Sequence, residues 1–358
     1  MSRAPFGTRR SRRRRRSAGL FAAVAVAAVV VAAVAGVFGF ALLRPAVSST
    51  APPASPTPSW SAAATEKPSP TPRTTAAPAP TPSVAASCDG TATLVSVWAH
   101  PDDDIIFANP TISDAIAAGE CVRTVFLTAG DAGKGLGYVE ARELGILRAY
   151  NDMRGTEGLW DTADVVLESG VHVRRLTPHG NPRISVLFFR LPDGNITGGG
   201  FASTGFATLG RLLDGQLSAL SPIDGGVSVS RDQVLASVRD LAREFAPERL
   251  FTHIPRGSSF APGDHPDHSV VGSIVRDALS GDPAIAPGIR YVVGYPSETL
   301  PRNLDGPVLD AKVDTYRIYA QEDEVIRCAD RASCLGTRKF GEWLRRSYPK
   351  TEAELNLG

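Results

Sequence analysis

The sequence predicts an α/β fold: a Rossmann-like, mostly parallel sheet with helices on both faces, preceded by one N-terminal transmembrane helix and a disordered linker. Three observations carry this expectation. From residue 88 onward, apolar runs of strand length alternate with amphipathic runs of helix length, the pattern of parallel strands joined by crossover helices. Near the N-terminus "RRSRRRRRS" precedes "AGLFAAVAVAAVVVAAVAGVFGFALL", which has no charge up to Leu43. Between these regions lies a stretch of Pro, Ala, Ser and Thr with almost nothing to bury.

The elements follow in order. Residues 1–17 form a basic cytoplasmic tail, and residues 18–43 a span. About 20 apolar residues cross a bilayer, and arginines stay on the cytoplasmic side. This places the rest of the chain outside the cell membrane. A cleaved signal peptide is the alternative, which would make the protein secreted; its apolar core is normally about 7–15 residues, so the anchor is favoured. Residues 44–87 read as an extended tether.

Residues 88–358 form the globular domain. "TLVSVW" (Thr93–Trp98) is a buried strand and "NPTISDAIAAG" a short helix. "CVRTVFLT" is the second strand, and "YVEARELGILRAYNDM" a helix spaced through Leu144, Leu147 and Tyr150. "DVVLES" and "ISVLFFRL" add strands, "DQVLASVRDLAREF" an amphipathic helix, and "ERLFTHI" a further strand. A helix around "SVVGSIVRDAL", the strand "IRYVVGY" and a late helix over "VLDAKVDTYRIYAQEDEVIR" complete the series. His172 and His179 read as surface loop, and the Gly-rich Leu191–Gly205 as a flexible loop or lid. Cys88 and Cys121 fall at the same end of neighbouring strands, and Cys328 and Cys334 are close in sequence. Outside the membrane these should form two disulfides.

Ligands of such sheets bind beyond the carboxyl ends of the strands. There "AHPDDD" follows the first strand and "GDHPDHSVVG" (Gly263–Gly272) a later one. Crowded carboxylates at a strand end call for a cation. His100 and Asp103, three apart, can converge on Zn²⁺, with His268 as third ligand and a position left open for water. Asp102 and His265 are then free for catalysis, and Asp267 can orient a histidine. His253 reads as a packed residue or one supporting a ligand.

These motifs, with "LTAGDAG" and the pair Arg142–Glu143, resemble the LmbE/PIG-L family of metal-dependent N-acetylglucosaminyl de-N-acetylases over most of 93–325. The resemblance implies a zinc held by His100, Asp103 and His268. It also implies Asp102 as general base and His265 as oxyanion stabiliser or acid. Asp104 stands where family members often carry Glu, which bears on the geometry around the ligands. Arg142 is a candidate substrate contact.

The reading is therefore a zinc-dependent hydrolase, with Fe²⁺ as the alternative ion, acting on an N-acetylated sugar or glycoconjugate outside the membrane. Two rivals remain. An Fe(II) oxygenase shares the two-His, one-carboxylate triad but usually sits on an all-β scaffold. A non-enzymatic glycan-binding protein with a structural metal would use a fully ligated site. Nucleic acid is excluded as a partner. Residues 1–87 hold eleven of the 38 Lys and Arg and one of the 37 acids, so residues 88–358 carry 27 basic against 36 acidic groups.

Overall fold

The computed structural model describes Cys88 and residues 90–357. The basic tail, the expected span 18–43 and the tether 44–87 lie outside the described residues. Among the described residues no helix is long and apolar enough to cross a membrane.

Among the described residues, eight strands form one mixed sheet: β1 (Thr93–Trp98), β2 (Cys121–Thr128), β3 (Trp160–Val166), β4 (His172–Pro178), β5 (Ile184–Leu191), β6 (Arg249–His253), β7 (Ile289–Val292) and β8 (Pro349–Lys350). Their spatial order is β3-β4-β5-β2-β1-β6-β7-β8. The five central strands, β5-β2-β1-β6-β7, run parallel. Outside them, β4 and then β3 on one side and β8 on the other are each antiparallel to the neighbouring strand. All five central carboxyl ends therefore meet at one rim.

The helices are α1 (Thr111–Ala117), α2 (Leu136–Met153), α3 (Leu209–Leu213), α4 (Arg231–Phe245), α5 (Pro266–Leu279), α6 (Gly306–Tyr319), α7 (Arg331–Gly336) and α8 (Phe340–Leu344). They cover both faces because β1 is apolar on both. Val95, Val97 and Ala99 pack with Val238 and Leu241 of α4 and with Ile274 of α5. Leu94 and Trp98 pack with Ile146 of α2 and Val313 and Tyr316 of α6. Each of the Val, Leu and Ile side chains among these contributes about 1.5–3 kcal/mol on burial. The chain starts α4 with a reciprocal Ser230–Gln233 capping box. Cys88 bonds Cys121, and Cys328 bonds Cys334; Thr93 pairs with Cys121 in register, which brings Cys88 within reach.

Four local expectations are corrected. His172 opens β4, a strand whose two adjacent arginines masked its alternation, whereas His179 lies in the exposed turn after it, as expected, 3.1 Å from Asp161. The buried face of α2 carries Arg142, Glu143 and Ile146, while Leu144 is exposed. The late helix stops at Tyr319, where Asp323 turns the chain by accepting the Val325 amide at 2.8 Å. The start of the Gly-rich loop is tied down rather than loose: Gly194 donates to Asp267 at 2.7 Å and Gly200 to the Gly194 carbonyl at 2.8 Å.

Candidate active site

The rim formed by the parallel strands gathers the chemistry. His100–Asp103 follow β1, Asp131 follows β2, Asp193 follows β5, His253 ends β6, and Tyr295 follows β7. His265 is the N-cap of α5 and His268 lies in its first turn, with Pro266 at the helix start where no amide donor is needed. A cavity of about 150 Å³ opens among His100, Asp102, Asp103, Arg142, Asp193, His265 and Tyr295, with Asp323, Val325 and Trp343 also lining it. A larger hollow of about 860 Å³ lies at the opposite end of the sheet beside Cys88; it has no histidine and a single carboxylate, Glu120.

His100, Asp103 and His268 come together. Nδ1 of His100 is 3.4 Å from Asp103 Oδ2, and Nε2 of His268 is 3.1 Å from Asp103 Oδ1. Three donor sets converge, His100/His265/His268, His100/Asp193/His265/Asp267 and Asp103/His253/His268; His268 shares one with His100 and another with Asp103, while the three expected ligands are not together in any single set. Asp103 Oδ2 is already engaged by the His100 amide at 2.7 Å. His253 is fully buried under the site, with its ring stacked on His268 at 4.0 Å and its Nε2 3.1 Å from Asp103 Oδ2.

Each candidate histidine is held from behind by a carboxylate. Asp267 Oδ2 meets His100 Nε2 at 3.3 Å, and Asp264 Oδ1 meets His268 Nδ1 at 2.8 Å. This is how metal-bound imidazoles are oriented. Nε2 of His268 lies within ion-pair range of Asp103 at 3.1 Å, yet this buried nitrogen has no well-aligned hydrogen-bond partner. Buried polar atoms are rarely left so. An N,O donor set with that orphan fits a divalent cation such as Zn²⁺ or Fe²⁺.

Charge follows from the surroundings. Burial pushes Asp102 up to about 7, even with Arg142 Nη2 at 2.7 Å. Asp103 is held well below the usual carboxylate range, because His268, His253 and His100 outweigh its burial. Burial, aided by His100, pushes His265 down to about 3. Its Nδ1 accepts the Asp267 amide at 3.2 Å, so the neutral ring carries its proton on Nε2.

The remaining expected residues divide. Arg142 is buried and fully committed, to Asp102, to the Tyr319 hydroxyl and to the Gly130 carbonyl. Gly130 must lack a side chain, since its φ is +57° and a Cβ would lie 2.2 Å from Arg142 Nη1. Asp104 is away from the cavity. It accepts the Tyr150 hydroxyl at 2.9 Å under the α2 face, and burial pushes it up to about 7. Sequence reasoning missed Asp264, Asp193, Asp131, Asp323 and Tyr295. The acids Asp131 and Asp193 carried a usable signal, each standing just past a strand end.

A buried His–Asp cluster beside a cavity-lining carboxylate, Asp102, and a neutral imidazole donor is equipment for hydrolysing an acyl bond. The comparisons place it. Residues 95–279 match the GlcNAc-PI de-N-acetylase family, PIG-L. The chain belongs to that family, and is an amide hydrolase of the de-N-acetylase class. Among solved structures, the N,N'-diacetylchitobiose deacetylase of Pyrococcus horikoshii is 14% identical, with 65% of this chain and 71% of that one covered and a TM-score of 0.38. Teicoplanin deacetylase Orf2, in a zinc-inhibited form, is 13% identical, with 63% and 83% covered and a TM-score of 0.37. A 4-carboxy-2-hydroxymuconate hydratase of Pseudomonas putida is 15% identical, with 71% and 82% covered and a TM-score of 0.38. The assignment rests on the family match, not on these. No curated protein matches the chain.

Proposed function

We propose that the chain is a zinc-dependent de-N-acetylase that removes the acetyl group from an N-acetylglucosamine-type sugar or glycoconjugate outside the cytoplasmic membrane. The observation that carries the metal is the orphaned, fully buried Nε2 of His268, facing Asp103 and braced by Asp264. His100, Asp103 and His268 would hold the ion. Bound there, a divalent cation supplies Lewis acidity toward a carbonyl oxygen and lowers the pKa of water to about 7.

The chain's own groups do the rest. Asp102, in the cavity with a pKa pushed to about 7, takes a proton from the attacking water as its oxygen adds to the acyl carbon. The same proton passes to the nitrogen as the C–N bond breaks, leaving acetate and an amine. His265 presents Nε2–H to the oxygen where charge develops. Arg142 fixes the orientation of Asp102.

The sugar is supported by the family's description, and the cavity of about 150 Å³ has room for an acetamido group. Two disulfides and the basic-then-apolar N-terminus support an extracytoplasmic, membrane-tethered enzyme. Incubating the protein with envelope glycans and screening by mass spectrometry tests the reading. Loss of one acetyl mass unit from an amino sugar is expected, and no such loss from any N-acetylated glycan contradicts it.

A further inference from the structure

Negative charge gathers on the carbonyl oxygen when water adds to an amide, and donors fixed in advance stabilise it. Six side chains lining the cavity carry N–H or O–H groups: His100, Tyr138, Arg142, His265, Tyr295 and Trp343. Four are already spent. His100 Nε2 faces Asp267, the Tyr138 hydroxyl donates to Asp323 at 2.9 Å, Arg142 uses all its nitrogens, and Trp343 Nε1 donates to the Tyr295 carbonyl at 3.0 Å. His265 Nε2–H is one of the two left.

The other is Tyr295. Its hydroxyl finds no hydrogen-bond partner among the described residues. Its ring is firmly placed. It stacks on Trp343 at 4.1 Å and 6°, and stands edge-on to His268 at 5.0 Å and to His265 at 6.2 Å. Its amide donates to Asp264 at 3.0 Å, the same carboxylate that braces His268. A phenol titrates near 10, so at neutral pH it is a donor. Tyr295 lies outside the stretch 95–279 that matches the family.

We propose that Tyr295 is a catalytic residue: its hydroxyl donates a hydrogen bond to the acyl oxygen of the substrate, as a partner to His265. The inference rests on the de-N-acetylase reading above. The hydroxyl keeps its proton throughout, and no bond to it forms or breaks. Water still adds to the carbon, and acetate and amine still leave.

Tyr295→Phe tests this, because it keeps the ring, the Trp343 stack and the amide bond to Asp264. Loss of one such donor lowers kcat by roughly 10²–10³, with KM and metal content near wild type. Two further readouts separate a lost donor from a disturbed fold. The loss should be much smaller on an N-trifluoroacetyl sugar, whose fluorines stabilise the oxyanion themselves. Affinity for a methylphosphonamidate of the same sugar, a tetrahedral anion, should fall with kcat while affinity for the N-acetyl sugar holds. Full activity in the variant, or an equal loss on both acyl groups, overturns the inference alone. A wild-type protein that deacetylates no N-acetylated sugar overturns the inference and the reading beneath it together.

Discussion

Asp264 stands inside the second histidine motif without having been assigned a role there, yet it is the residue on which His268 leans. Its Oδ1 accepts from His268 Nδ1 at 2.8 Å, from the His265 amide at 2.9 Å and from the Tyr295 amide at 3.0 Å. Its Oδ2 is buried without a partner. Asp264→Asn is therefore close to isosteric: the amide oxygen keeps all three bonds, and what is lost is the charge. A hydrogen bond to a charged group is worth about 1.5–3 kcal/mol against about 0.5–1.5 for a neutral one. The difference, roughly 1–2 kcal/mol at 1.36 kcal/mol per tenfold, is a factor of about 5–30. Partners behind metal-bound histidines cost about 10–100-fold when removed. The two ranges overlap at about 10–30-fold weaker zinc binding. Competition against a chromogenic chelator measures it, with a thermal melt of the metal-free protein as control for folding. Unchanged affinity would refute the bracing role. A loss beyond about 10⁴-fold would mean that Asp264 is itself a ligand.

Two further outcomes follow from positions away from the reacting atoms. In Gly194→Ala the new Cβ would lie 2.2 Å from Asp267 Oδ1, so Asp267 must shift from His100; zinc affinity should fall about 10–100-fold and stability by about 1–3 kcal/mol, and a metal titration with unchanged midpoint sinks this. Lys312 is buried, donates to the Arg346 carbonyl at 2.7 Å, and is pushed down to about 7 by burial. From pH 7 to about 10 the unfolded chain keeps that proton while the folded one sheds it, so rising pH stabilises the wild type through this group. Lys312→Met lacks the effect, so its melting temperature relative to wild type should drop as pH rises from 7 to 9.5; a constant or growing difference contradicts the assignment.

The central strands were legible because they are buried on both faces and read as unbroken apolar runs, as in "TLVSVW" and "CVRTVFLT". β4 was not, because "HVRRLTP" carries arginines at successive positions, and its place between β3 and β5 is tertiary information. On α2, apolar content pointed to Leu144, whereas burial follows the charges Arg142 and Glu143; the latter is paired with Arg190 at 2.6 Å. Within the site, His100, Asp102, Asp103, His265 and His268 stood out because acids and imidazoles are expensive to bury without a purpose. Asp264 sits beside His265 in the same quoted motif and was passed over in favour of the three-residue spacing. Tyr295 and Asp323 come from segments with no motif, and only the closing of the sheet brings them to the cavity.

The account turns on two adjacent aspartates doing different work. Asp103 faces His268 and His100, while Asp102 faces the cavity and Arg142. The decisive measurement is metal content by atomic spectroscopy together with acetate release from an N-acetylglucosamine compound, on Asp102→Asn and Asp103→Asn side by side. The account predicts that Asp103→Asn loses most of its zinc, and that Asp102→Asn keeps it near one equivalent but turns over roughly 10²–10⁴-fold more slowly, the usual worth of a general base. Zinc lost from Asp102→Asn and retained by Asp103→Asn would reverse the roles. Full zinc and full activity in both would contradict the site altogether.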